Sequence, residues 1–155
     1  MPEFNPETDL QIERLIHAKP EIIWRCWAEP ELFKVWFTPP GVDVVSCENV
    51  LEPGGRAFNV MRLPDGNEMP NDGSFIHVEL HRRLVYTDGL LAGFRPQPTI
   101  FMVVDLTLTP KDGGTLYHAH IMHATAEARD QHEAMGFEDG WGTTLAQLDA
   151  LAATL

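Results

Sequence analysis

The tail of the chain carries an apolar stripe that a lone helix cannot bury. Trp141, Leu145, Leu148, Ala152 and Leu155 recur at steps of three and four, so they share one helical face. Gly136, Gly140 and Gly142 lie in the same stretch, and each costs about 1 kcal/mol against alanine in a helix interior. Burial of the four large stripe residues returns up to about 1.5–3 kcal/mol each. Packing outweighs propensity only if another layer lies beneath the helix. The spacing therefore predicts a helical tail from Ala126 to Leu155 seated on a sheet. Its glycines allow close approach, or a bend beside Met135 and Phe137.

The rest of the chain supplies that sheet. Leu10, Ile12, Leu15 and Ile16 alternate into a first strand ending at His17. Pro20 opens a helix over Glu21–Ala28, and Pro30 opens a second, ending near Phe37. Pro39, Pro40 and Gly41 stop it. From there the pattern is strands and turns: Val42–Val50, Arg56–Arg62, Ser74–Leu80, Leu84–Thr87, Thr99–Thr109 and Thr115–His123. Leu63–Asn67 reads as a turn, Asp88–Pro98 as a loop, and Lys111–Gly114 as a hairpin turn. The order predicts an α+β chain: a curved antiparallel sheet of about six to seven strands around a long C-terminal helix, with two short helices after the first strand. Residues 1–8 read as a polar lead-in and 9–155 as one domain.

Charge narrows the partners. Eleven Lys and Arg against 23 Asp and Glu give a net charge of −12, which repels nucleic acid and anionic membrane surfaces. No segment has the pattern of a secretory signal or a membrane span. Cys26 and Cys47 lack a CxxC spacing and read as free thiols in a reducing cytoplasm.

Five stretches carry a family resemblance: PEIIWRCWAEPELFKVWFTPPG, LEPGGRAFNVMRLPDGNEMPNDGSF, RRLVYTDGL, GGTLYHAHIMH and HEAMGFEDGWGTTLAQL. In this order they resemble the helix-grip, START-like or SRPBCC superfamily, in the branch related to the activator of the ninety-kilodalton heat-shock chaperone's ATPase. The resemblance spans about residues 9 to 155. It implies a sheet gripping the last helix with space between them. It also implies roles in lipophilic-ligand binding, polyketide-cyclase-like chemistry or the stress response of bacteria. It supplies no catalytic set, cofactor or metal. Lys19 departs from the small or polar helix cap usual before the first helix, and Leu80–His81 stands where the family often has proline.

Three functions follow from these readings. The leading one is a small soluble domain that binds a hydrophobic or amphipathic small molecule between sheet and C-terminal helix. Its expected lining is Trp27, Trp36, Phe37, Phe58, Met61, Met102, Val104, Leu106, Tyr117, His123, Phe137, Trp141 and Leu148, with Glu68, Asp88 and Arg95 as a polar rim. Phe33 is expected partly at the surface. The alternatives are an acid–base enzyme using His123, Tyr117 and Arg95, and a chaperone-interacting module.

His123 has two readings: a ligand-facing imidazole, or a ring bonded to nearby backbone. His118 and His120 share an outer strand face and would ligate zinc only with a third group such as Asp105; solvent or an oligomer surface is the simpler reading. His77, Glu79 and His81 are expected along a solvated edge. Outward Phe101, Val103 and Leu116 point to a homodimer surface.

Overall fold

Alternation builds the sheet and helical stripes cover part of it. The computed structural model describes residues 2–155. In chain order the elements are β1 (Asp9–Ile16), α1 (Pro20–Ala28), α2 (Pro30–Trp36), β2 (Asp43–Asn49), β3 (Arg56–Arg62), β4 (Glu68–Glu79), β5 (Arg83–Thr87), β6 (Leu90–Leu91), β7 (Arg95–Pro96), β8 (Val103–Lys111), β9 (Gly114–Met122), α3 (Ala126–Ala134) and α4 (Phe137–Ala152). Seven strands form one antiparallel sheet in the order β1-β9-β8-β5-β4-β3-β2. Register breaks at Val44/Ser46 and Phe75/His77 bend its strands. This is the expected α+β helix-grip arrangement.

Cross-strand register fixes the inner face. Ile12 faces Ala119, Leu106 faces Ala119 and Leu84, and Val104 faces Ile121 and Tyr86. These residues form the core with Ile23, Trp27, Phe33 and Trp36 from α1 and α2, and with Phe137, Leu145 and Leu148 from α4. Lys19 gives α1 no side-chain cap, as its chemistry predicts, and Pro20 fills the first turn.

The two short helices are tied to the long one. The Gln147 side-chain amide of α4 donates to the carbonyls of Trp36, at 3.0 Å, and Thr38, at 2.8 Å, just where α2 ends. The Trp36 indole N–H donates to the Cys26 carbonyl at 2.9 Å, joining α2 to α1. Each bond satisfies a carbonyl left over at a helix end.

Several boundaries differ from those expected. β4 starts at Glu68, because Glu68–Ser74 pairs residue for residue with Arg62–Arg56 despite its turn-like Pro70, Asn71 and Gly73. Residues 99–102 stay outside β8: the Phe101 and Met102 amides donate to the Asp88 carboxylate instead of a strand. The expected loop at 88–98 holds the small β6–β7 hairpin. His81 lies past β4 at φ 61°, edge-on to Trp24, and so does not share a strand face with His77; His77 does bond Glu79 at 3.0 Å.

Phe33 is 1 % exposed, not partly at the surface, because its ring stacks on Phe37 at 4.3 Å and packs against Trp27 and Trp36. The helical tail is broken in two at Met135 and Gly136. Gly136 has φ +89°, a left-handed conformation that ends α3 and starts α4.

Gly136 and Gly140 test that break. A Cβ at either would meet nothing within 4 Å, so only backbone conformation distinguishes them. Gly136→Ala is expected to lose about 1–2 kcal/mol through left-handed strain. Gly140→Ala, inside α4, is expected to gain about 0.4–1 kcal/mol. Urea melts of the two variants check the opposite signs; equal effects would contradict the assignment.

Candidate functional site

The helices leave part of the inner face bare. α4 packs on β1, α2 packs on β2, and no helix makes extensive contact with β3, β4 or β5. Over those strands lies a cavity of about 900 Å³, within the range of small-molecule sites. Its floor includes Ala57, Asn59 and Met61 of β3 and their partners Gly73, Asn71 and Met69 of β4. Trp27, Phe33, Trp36 and Phe37 form one wall, and Trp141, Thr144 and Leu145 form another. Met69 and Met135, 44 % and 72 % exposed, stand where it opens to solvent.

Of the residues expected to line this space, Trp27, Trp36, Phe37, Phe58, Met61, Met102, Tyr117 and Trp141 border it. Phe58 does so with the wrong strand parity for a wall ring. It shares the other sheet face with Arg56, whose guanidinium carbon sits 3.9 Å from the ring centroid. Val104, Leu106 and Leu148 do not border the cavity; each is at most 1 % exposed, sealed where helices do cover the sheet. Phe137 packs on Trp141 at 5.1 Å and on His132 at 5.3 Å, behind the wall.

Of the expected rim, only Asp88 borders the cavity, and its carboxylate is held by the Phe101 and Met102 amides. Glu68 is paired with Arg62, and Arg95 is exposed on the β6–β7 hairpin. His123, Tyr117 and Arg95 are therefore not brought together. Phe101 does not point outward as expected: it borders the cavity and its ring lies 4.9 Å from that of His132.

His123 is the backbone-bonded ring, with more behind it. Its Nδ1 is 2.8 Å from the Thr8 carbonyl, which can only accept, so Nδ1 carries the proton. Its Nε2 is 2.9 Å from His132 Nδ1. His132 reaches the cavity; His123 does not. Sequence reasoning missed His132 because it lies among the polar residues of α3, and only the bend at Gly136 turns it inward. Burial pushes its imidazole down to about 4, and the neighbouring His123 ring adds to the shift.

Several polar groups on the inner face are already bonded within the protein. The Asn59 and Asn71 side chains bond each other at 3.0 Å, and Asn49 donates to the Trp27 carbonyl at 2.9 Å. The Trp27 indole N–H is buried with no hydrogen bond. Burial keeps the Tyr86 and Tyr117 phenols protonated far above neutral pH.

On the opposite face the histidines are occupied separately. His120 is buried against Asp9 at 2.7 Å under the Phe4 ring. Burial pushes the Asp9 carboxyl up, but hydrogen bonds from the Asn5 amide, His120 and Thr8 outweigh it and hold the group below its ordinary value. His118 bonds Gln11, and Asp105 is taken by Arg83 at 2.8 Å. Among the described residues no group of three or more His, Cys, Asp or Glu is placed to hold a metal. Cys26 and Cys47 are free thiols, and burial pushes Cys26 up to about 11. No helix among the described residues is long and apolar enough to cross a membrane.

Comparison with known proteins agrees with this fold. A family model described as Activator of Hsp90 ATPase homolog 1-like protein matches residues 17–153. A crystal structure of a protein from Nitrosomonas europaea is 39 % identical, with a TM-score of 0.94 over 97 % of each chain. One from Rhodobacter sphaeroides is 26 % identical, with a TM-score of 0.85 over 99 % of this chain and 97 % of its own. The solution structure of an AHSA1-like protein from Aeromonas hydrophila is 22 % identical, with a TM-score of 0.72 over 92 % of each chain, a likeness of fold. No curated protein matches the chain.

The buried His132 ring makes stability depend on pH in a defined direction. Between its ordinary value of 6.5 and about 4, the unfolded chain takes up a proton there that the folded chain does not. Stability therefore falls as pH is lowered through this window, by up to about 3 kcal/mol from this ring alone. Urea melts at stepped pH should show a shallower fall in His132→Phe than in the parent; equal slopes would contradict the burial of the ring.

Proposed function

The chain belongs to the Activator of Hsp90 ATPase homolog 1-like family, and from that premise we propose that it binds a hydrophobic or amphipathic small molecule in the cavity between its sheet and its C-terminal helix. One observation carries the reading. A cavity of about 900 Å³ lies over the strands that no helix covers, walled by aromatic and methionine side chains. Rigid Trp27, Trp36, Phe37 and Trp141 offer flat apolar surface. Flexible Met61, Met69, Met102 and Met135 adapt to an occupant's shape. Bringing such an occupant out of water is favourable at about 25 cal/mol per Å² of apolar surface.

The neutral fluorophore N-phenyl-naphthylamine tests the reading. It should bind saturably with enhanced emission, and at a hundredfold excess over its Kd it should raise the melting temperature by about 5 °C or more. Ala57→Trp places a large ring on the cavity floor opposite Gly73, where there is room for it. That variant should remain folded and bind at least about tenfold more weakly, a loss of about 1.4 kcal/mol. Absence of binding by the parent, or unchanged binding by the folded variant, would overturn the proposal.

A further inference from the structure

The polar groups of the cavity specify an occupant more narrowly than its apolar walls do, and this inference rests on the binding reading above. One such group is His132. With both rings neutral, the Thr8 carbonyl fixes the proton of His123 on Nδ1, so His123 Nε2 offers a lone pair. That lone pair accepts from His132 Nδ1–H at 2.9 Å. His132 Nε2 is then a bare lone pair on a ring that is 7 % exposed and borders the cavity beside Phe101 and Trp141. Its tautomer is fixed from behind, through two hydrogen bonds, by a backbone atom of the segment leading into β1.

The second group is the pair of phenols. Tyr86 and Tyr117 border the cavity from inward positions of β5 and β9, and among the described residues no hydrogen bond restrains the Tyr86 hydroxyl. Among the described residues no acceptor is bonded to the Tyr117 hydroxyl either, which leaves its proton available to an occupant. Both phenols stay protonated, so both are donors. An apolar occupant would leave these buried groups unpaired, at a cost for each.

Charge excludes two other classes. Among the described residues no Lys or Arg borders the cavity. Arg56, close to its edge, is bonded to Asp72 at 3.0 Å and to Glu48. A carboxylate or sulfonate would enter without a counter-charge. A cation would find Asp72 already paired and Asp88 already accepting from two backbone amides. A neutral occupant avoids both penalties.

We propose that the cavity takes a neutral molecule with a planar apolar body, bearing one hydroxyl that donates to His132 Nε2 and one carbonyl oxygen that accepts from the Tyr117 and Tyr86 hydroxyls. Phenolic or enolic ketones have this pattern.

The test uses an acetyl-naphthol, its methyl ether and the corresponding hydroxy-naphthoate, titrated by fluorescence at neutral pH into the full chain. The acetyl-naphthol should bind at least about tenfold more tightly than its methyl ether, which strands the His132 lone pair. The carboxylate should bind more weakly than both. In His132→Phe the preference for hydroxyl over ether should vanish while the ether still binds. In Tyr117→Phe both ketones should weaken. Equal affinities of the naphthol and its ether for the parent overturn the inference, and this comparison stands even if a variant fails to fold. Binding of N-phenyl-naphthylamine without the acetyl-naphthol overturns this inference and leaves the binding reading intact. Binding of neither ends both.

Discussion

A shortage of cover shapes this protein. Seven strands at about 4.8 Å spacing make a sheet about 29 Å across. A helix is about 10 Å wide. α4 occupies the β1 side and α2 the β2 side, and β3, β4 and β5 receive no close helix. A sheet face in that position either collapses or encloses space. Gln147 bonds the end of α2 to the middle of α4 and fixes the two walls relative to each other. The left-handed Gly136 then turns α3 so that His132 and Met135 close part of the remaining gap.

The same shortage explains which residues occupy the bare strands. Beneath α1 and α4 the inner face includes Leu10, Ile12, Val104, Leu106, Ala119 and Ile121, each at most 5 % exposed. Over β3 and β4 it is Ala57, Asn59, Met61, Asn71 and Met69. Asparagines bonded to each other tolerate an interior reached by solvent. Protonated phenols and a neutral imidazole complete a surface that can form hydrogen bonds without carrying charge.

Much of the fold was legible because it rests on periodicity. The stripe from Trp141 to Ala152 and the alternation of β8 and β9 each report one face and one partner layer. The family resemblance placed the two short helices against the sheet. The site was legible only where side-chain parity and chain entry agreed, as for Trp27, Trp36 and Tyr117. Phe58 borders the cavity as expected but from the outer parity, because alternation must be anchored to a known inward residue and Asn59 gave no apolar signal to anchor it. Val104, Leu106 and Leu148 were read correctly as inward, but inward means core beneath a helix and cavity elsewhere. His132 was invisible because its burial depends on a backbone break whose direction no local pattern encodes. His123 was noticed for its parity, yet its role is to hold another ring.

The central claim is that the uncovered strands leave an open apolar space, and the methionine methyls report on it directly. Met61, Met69, Met102 and Met135 border the cavity, whereas Met122 closes β9 away from it. Methyl NMR spectra of the labelled protein, recorded as N-phenyl-naphthylamine is added, separate the two sets. The account predicts progressive, saturable shifts at the four cavity methyls and a stationary Met122. Shifts centred on Met122, or none at the other four, would contradict it.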